Sequence, residues 1–183
     1  MGRLWIAALL VLAIGCSAKG DAERDLDRNV DREVTGDVLL ESYAIDMTWG
    51  YKLNGMYITA DGKVWSYERT KPWYPERIKT GQLSRRDMLT KHEGATQIGT
   101  VDPVHLRDVA MMIKPAAQGP VTKAGDVGAG GGAVDVAYLY DPDARVYYEV
   151  ILSGEGDRVA SNSAPEAQLL LDYLHEVKGL VQP

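Results

Sequence analysis

Residues 134–152 constrain the fold more than any other stretch of this chain. Val134, Val136, Tyr138 and Tyr140 alternate along one run, Val146, Tyr148, Val150 and Leu152 along the next, with Asp141-Pro142-Asp143-Ala144 between them. Successive side chains of a strand point to opposite faces, so each run can hide one apolar face, and the turn between them makes the two an antiparallel pair. Met56–Ala60 and Lys63–Tyr67 repeat this form around Asp61-Gly62. Asp-Gly between β-prone runs predicts a two-residue hairpin, because glycine accepts a positive φ and aspartate tolerates one. Val38–Met47 reads as a further strand, with Leu39, Tyr43, Ile45 and Met47 on one face against Glu41, Asp46 and Thr48.

Two helices are signposted. Asp102 can cap, Pro103 suits a first turn, and Leu106, Val109, Ala110 and Ile113 share a helical face that Pro115 should end. Ser163-Ala164-Pro165-Glu166 has the capping-box pattern, followed by a stripe of Ala167, Leu170, Leu171, Leu174 and Val177 that Gly179 should stop. A shorter helix fits Ser84–Lys91. The order strands, helix, strands, helix predicts an α+β domain: a mostly antiparallel sheet built from hairpins, with two main helices packed on one face. At 183 residues and 45% hydrophobic, the chain has material for one such domain, placed at 38–183.

Catalytic signals are sparse. His92 and His175 each precede a glutamate, but neither pair extends to the HExxH that sets two imidazoles on one helical face around zinc, and His105 stands apart. No GxSxG elbow is present. Gly125–Gly132 lacks the Gly-Lys-Ser/Thr of a phosphate loop and leads into a strand, and Asp141 and Asp143 lack the remaining ligands of a calcium loop. No catalytic, cofactor-binding or metal-binding residues are therefore assigned. A net charge of −6, with short basic groups such as Arg85-Arg86 interleaved with acids, argues against a nucleic-acid partner.

The amino terminus carries a different message. Arg3 is followed by Leu4–Gly15, a charge-free apolar run ending at Cys16, which is shorter than the ~20 residues that span a bilayer. These are the parts of a signal peptide over residues 1–15. Leu12-Ala13-Ile14-Gly15-Cys16 resembles the lipobox of bacterial lipoproteins, with Ala13 in place of the commoner leucine. The resemblance implies cleavage before Cys16, a diacylglycerol thioether on its thiol and acylation of the new amino group. Such a protein is held to the membrane without spanning it. Ser17, not aspartate, follows the cysteine, which in such lipoproteins favours the outer membrane. Cys16 is the only cysteine of the chain. Ala18–Asp37 is rich in charge and poor in large apolar groups, so residues 16–37 read as the lipidated Cys16 and a flexible tether with a typical end-to-end distance of roughly 25 Å.

One stretch of the domain invites a binding role. Lys71-Pro72-Trp73-Tyr74-Pro75 sets two aromatics between stiffening prolines, so that Trp73 and Tyr74 would lose little entropy as anchors for a partner. The alternative is that Trp73 folds back as a lid over the sheet. The expectation is a lipid-anchored cell-envelope protein, in the periplasm or at the outer membrane, acting as a non-enzymatic protein-interaction module. An inhibitor of an exported protease and an envelope hydrolase are the competing readings.

Overall fold

The computed structural model describes residues 38–75, 81–123 and 130–181. The expected signal peptide, lipidated Cys16 and tether lie outside them. Described strands are β1 (Val38–Asp46), β2 (Lys52–Thr59), β3 (Lys63–Arg69), β4 (Gln82–Ser84), β5 (Thr96–Thr100), β6 (Val121–Lys123), β7 (Gly131–Asp141), β8 (Val146–Gly154) and β9 (Ala160–Asn162). They form one sheet in the order β5-β3-β2-β1-β7-β8-β9-β6, with β4 added against β8. Neighbouring strands pair antiparallel throughout this path. Helices α1 (Arg85–Lys91), α2 (Pro103–Ala110) and α3 (Pro165–Val181), with a single helical turn at Ile113–Ala116, complete an α+β fold.

Both hairpins form, and the first differs in its loop. Gly62, at φ +82°, donates its amide to Thr59 O at 2.8 Å, so the connection is the three-residue loop 60–62 instead of a two-residue turn. In the second, Asp141 Oδ1 accepts from the amides of Asp143 and Ala144 at 2.9 and 3.0 Å. That closes the turn and accounts for the paired aspartates as local backbone chemistry.

Helix boundaries depart from the sequence pattern for identifiable reasons. Asp102 caps α2 as expected, accepting from Val104 N at 2.9 Å, but α2 stops at Ala110 and Pro115 lies inside the next turn. A continuous helix would drive the Pro115 ring into the carbonyl of Met111, and the break at 111–112 avoids this. Ser163 does not cap α3: its amide and hydroxyl both donate to Pro120 O, while Asn162 Oδ1 accepts from Ala164 N. α3 also runs through Gly179 to Val181. Packing by Val177 and Val181 at its carboxyl end outweighs the roughly 1 kcal/mol cost of a helical glycine. The capping box that does form belongs to α1, where Ser84 Oγ accepts from Asp87 N and the Asp87 carboxylate from Ser84 N.

Each face of the sheet is covered. On one, Leu40, Met56, Ile58, Val64, Ala137, Val150 and Leu152 pack against Leu106 and Val109 of α2 and Leu170, Leu174 and Val177 of α3. This is the arrangement expected of the two main helices. The other face carries Tyr43, Leu53, Tyr57, Tyr67, Val134, Val136, Tyr138 and Tyr147, under Met88 of α1 and Trp73. Aromatics dominate this second core: tyrosine rings fill the space between the sheet and the short α1, and each brings a hydroxyl that needs a partner once buried.

At its centre Tyr43, Gly55 and Tyr67 stand in register across β1, β2 and β3. A Cβ at Gly55 would lie 2.5 Å from Ser42 O and 2.9 Å from Tyr43 Cβ, both fixed atoms of a central strand. Gly55→Ala is therefore expected to cost about 1–3 kcal/mol in urea denaturation. Gly179→Ala, where a Cβ meets nothing within 4 Å, should instead gain about 0.5–1 kcal/mol by helix propensity.

Candidate functional site: a buried polar cluster on the aromatic face

The bulge between Val38 and Leu40 turns Leu39 toward the helices, and from there Glu41 shares a face with Tyr43 and Ile45. A carboxylate thus enters the aromatic core at the central strand. Four donors meet it. Tyr67 OH and His92 Nε2, the latter at 3.2 Å, reach Oε1; Lys91 Nζ at 2.9 Å and Tyr138 OH reach Oε2. Lys91 Nζ also donates to Tyr138 Oη at 3.1 Å and lies 3.7 Å from the centre of the Tyr43 ring and 5.1 Å from that of Trp73. Glu149 of β8 stands at the edge, with Oε1 3.4 Å from Tyr138 Oη and 4.0 Å from Lys91 Nζ. Glu41 and Lys91 are both completely buried.

Local sequence explains how distant residues meet. Glu41, Tyr67 and Tyr138 sit on neighbouring or next-neighbouring strands with the same facing. Lys91 and His92 close α1, where the His92 amide donates to Met88 O at 3.0 Å. The His92 ring then lies flat on Tyr57, centroids 4.0 Å apart, and edge-on to Tyr67 at 4.9 Å. The last turn of α1 is thereby fastened to the sheet by two consecutive side chains.

Burial alone would raise the pKa of Glu41. The Lys91 charge and the hydrogen bonds from His92 and Tyr138 outweigh it and hold the carboxyl well below the usual carboxylate range. Burial pushes the His92 imidazole down, and the attraction of Glu41 does not restore it. The neutral ring carries its proton on Nε2, since the atom opposite is an anionic oxygen. Burial and the Glu41 charge raise Tyr67 and Tyr138 far above the ordinary phenol, and the same causes lift Tyr57 to about 12. At the centre, the completely buried pair is one anion, Glu41, facing one cation, Lys91, among neutral donors, with the Glu149 carboxylate at the edge. With four donors on its two oxygens and no exposure, Glu41 offers an external substrate neither a lone pair nor a path.

Of the aromatics singled out in the sequence, Trp73 is 6% exposed and Tyr74 66% exposed. The Trp73 indole N–H donates to Asp87 O at 3.2 Å, and its ring closes over Lys91. Tyr74 turns outward and meets Tyr51 edge-to-face at 5.8 Å. Trp49, in the turn after β1, is 95% exposed at the same end of the sheet, as the pairings Asp46 with Lys52 and Leu53 with Arg69 require. Cys16 lies outside the described residues, as does most of the glycine-rich loop. Of its described members, Gly130 and Gly131 donate their amides to Asp157 Oδ2, both at 2.7 Å.

The other histidines are placed apart. His105 packs edge-on to Tyr173. His175 Nε2 is 3.2 Å from Asp135 Oδ2, and Ser153 Oγ donates to that same oxygen at 2.9 Å. Serine and imidazole therefore both bind the carboxylate, whereas a serine nucleophile needs the imidazole itself as its base. Among the described residues no group of three His, Cys, Asp or Glu side chains could hold a metal ion. Nor is any helix among them long and apolar enough to cross a membrane. The chain matches no protein-family model, no curated protein and no solved structure.

Two outcomes are expected of the cluster. Lys91→Met leaves a buried carboxylate without its counter-charge and should cost about 3–5 kcal/mol. Lys52→Met, which breaks the half-exposed 3.0 Å pair with Glu68, should cost under about 1 kcal/mol by the same urea titration. The pH response follows from His92. In the unfolded chain it takes up a proton near 6.5, and in the folded protein only at lower pH. The contribution of His92 is fully present above pH 6.5 and is lost as pH falls through and below that value. His92→Gln, which keeps a donor toward Glu41, should flatten the denaturation midpoint between about pH 7 and pH 5.

Proposed function

We propose that this chain is a lipid-anchored protein of the bacterial cell envelope, attached through Cys16, whose domain is a non-enzymatic module for contact with another envelope protein. The observation that carries the reading is a division of labour between polar and apolar groups. The richest set of titratable side chains is turned inward and occupied by its own members, while large aromatics are left at the surface of one end of the sheet.

That end combines Met47 and Trp49 from the β1–β2 turn with Tyr74 beyond β3, which Tyr51 of the same turn meets edge-to-face. Exposed aromatics with few rotors are the usual anchors of protein interfaces. Trp49 and Tyr74 take the anchoring role, and Trp73 acts from beneath by fixing the backbone that presents Tyr74. β1 begins at Val38, at the opposite end of the sheet from Trp49. The chain leading from Cys16 joins at that start, so attachment and interface call on opposite ends of β1.

Photo-crosslinking in intact envelopes from position 49 or 74 should capture one discrete partner. Trp49→Ala should weaken that complex about 30- to 1000-fold, as loss of roughly 2–4 kcal/mol implies, with an unchanged melting temperature. Trp73→Ala should instead cost about 3–5 kcal/mol of folding stability. Absence of a discrete product, or undiminished binding by Trp49→Ala, would remove the interface. Cys16→Ala should leave an unacylated protein, and an acylated variant would end the anchor reading.

A further inference from the structure

The geometry points to a covalent bond inside the buried cluster: an isopeptide amide between Lys91 Nζ and the side-chain carboxyl of Glu41, formed by the folded protein without a cofactor. The two groups are paired at 2.9 Å, both completely buried, with the rings of Tyr43, Trp73 and Tyr138 around the amine. Fixed juxtaposition of amine and carboxyl makes their condensation effectively unimolecular, and exclusion of water removes the reagent of the reverse reaction.

The atoms balance within the pair. An ammonium and a carboxylate together hold the amide and one water: the Nζ–Cδ bond forms, the Cδ–Oε2 bond breaks, and two of the three ammonium protons leave with Oε2. One proton passes directly from Nζ to Oε2, which gives an amine facing a carboxylic acid. The second has a relay, since Nζ donates to Tyr138 Oη at 3.1 Å and Tyr138 OH donates to Oε2. Glu149 Oε1, 3.4 Å from Tyr138 Oη and 4.0 Å from Nζ, is placed to hold a proton between these transfers. As Nζ adds to Cδ, negative charge develops on Oε1, where Tyr67 OH and His92 Nε2–H already point. Donors aimed at a developing oxyanion are the largest single aid to acyl transfer. The two oxygens of Glu41 are thus differentiated, Oε1 served as an oxyanion and Oε2, carrying both transferred protons, leaving as water.

The link would tie central β1 to the end of α1 across the intervening residues 42–90. Cys16 being the only cysteine, no disulfide within the chain can supply such a staple. An envelope protein gains from it resistance to unfolding and proteolysis outside the cell.

Mass spectrometry of the full chain decides the matter. The wild type should be lighter by one water than its sequence and processing require. Tryptic digestion should yield a branched peptide joining the Glu41 and Lys91 fragments, with no cleavage after Lys91. Lys91→Arg should restore the full mass. Tyr138→Phe, which keeps the ring and removes the relay, should slow branching by about a hundredfold or more. A wild type of full mass that trypsin cuts after Lys91 would overturn the bond, and a branch to Glu149 would overturn its assignment. Branching of Tyr138→Phe at the wild-type rate would remove the relay. The wild-type peptide map is decisive even if a variant fails to fold.

Discussion

A carboxylate in the middle of a sheet is tolerable only if its charge is answered on the spot, and the demands of Glu41 organise everything above the aromatic face. Taking an ion of this size out of water costs several kcal/mol even after relaxation. One anion therefore requires one buried cation, Lys91, and enough donors to fill its lone pairs, which Tyr67, Tyr138 and His92 supply. Lys91 and His92 must arrive from the same helix end, so α1 has a single position and orientation. Fixing α1 in turn fixes Asp87 O, to which the Trp73 indole is bound, and through it the backbone that presents Tyr74.

The two faces of the sheet are held by different physics. Beneath α2 and α3 the core is aliphatic, non-directional and forgiving of small repacking. Beneath α1 it is rich in aromatics and carries hydrogen bonds at its centre, where Tyr67, Trp73 and Tyr138 each have a specified partner. A satisfied polar network of this kind adds directional constraint where tyrosine rings alone would leave alternatives. Its sensitivity is the corollary: removing any one donor strands another group in low dielectric.

Much of the fold was legible because it is local. The alternation at 134–152, the glycine at the first hairpin and the Asp102 cap each report on residues within a few positions, and α2 and both hairpins follow from them. The short strands β4, β5, β6 and β9 exist only through pairing with distant partners and left no pattern. Glu41 was missed for a definable reason. Set against Leu39, Tyr43 and Ile45, it reads as the polar side of a half-buried strand, although its odd position puts it on their face. The bulge at 38–40, which places Leu39 with the helices and Val38 with the aromatics, leaves Glu41 in that phase. The signal lay in parity: Glu41 shares its phase with Tyr43 and Ile45, so a charge stood on an apolar face. His92 was weighed only against zinc patterns, since its true partner is a carboxylate on another element. Trp49 drew no notice because a turn tryptophan has no periodicity to mark it. In the stretch at 71–75 the lid role falls to Trp73, and Tyr74 is left facing outward.

Glu41 makes α1 part of the same cooperative unit as the middle of the sheet, although α1 is only seven residues long and would have negligible helicity alone. Native-state amide hydrogen exchange measures this coupling directly. If Glu41 ties the helix to the strands, the amides of Leu89–His92 exchange through the same high-energy opening as those of β1 and β7, with matching dependence on denaturant. Exchange of α1 through a separate, low-energy opening while β1 and β7 stay protected would contradict it.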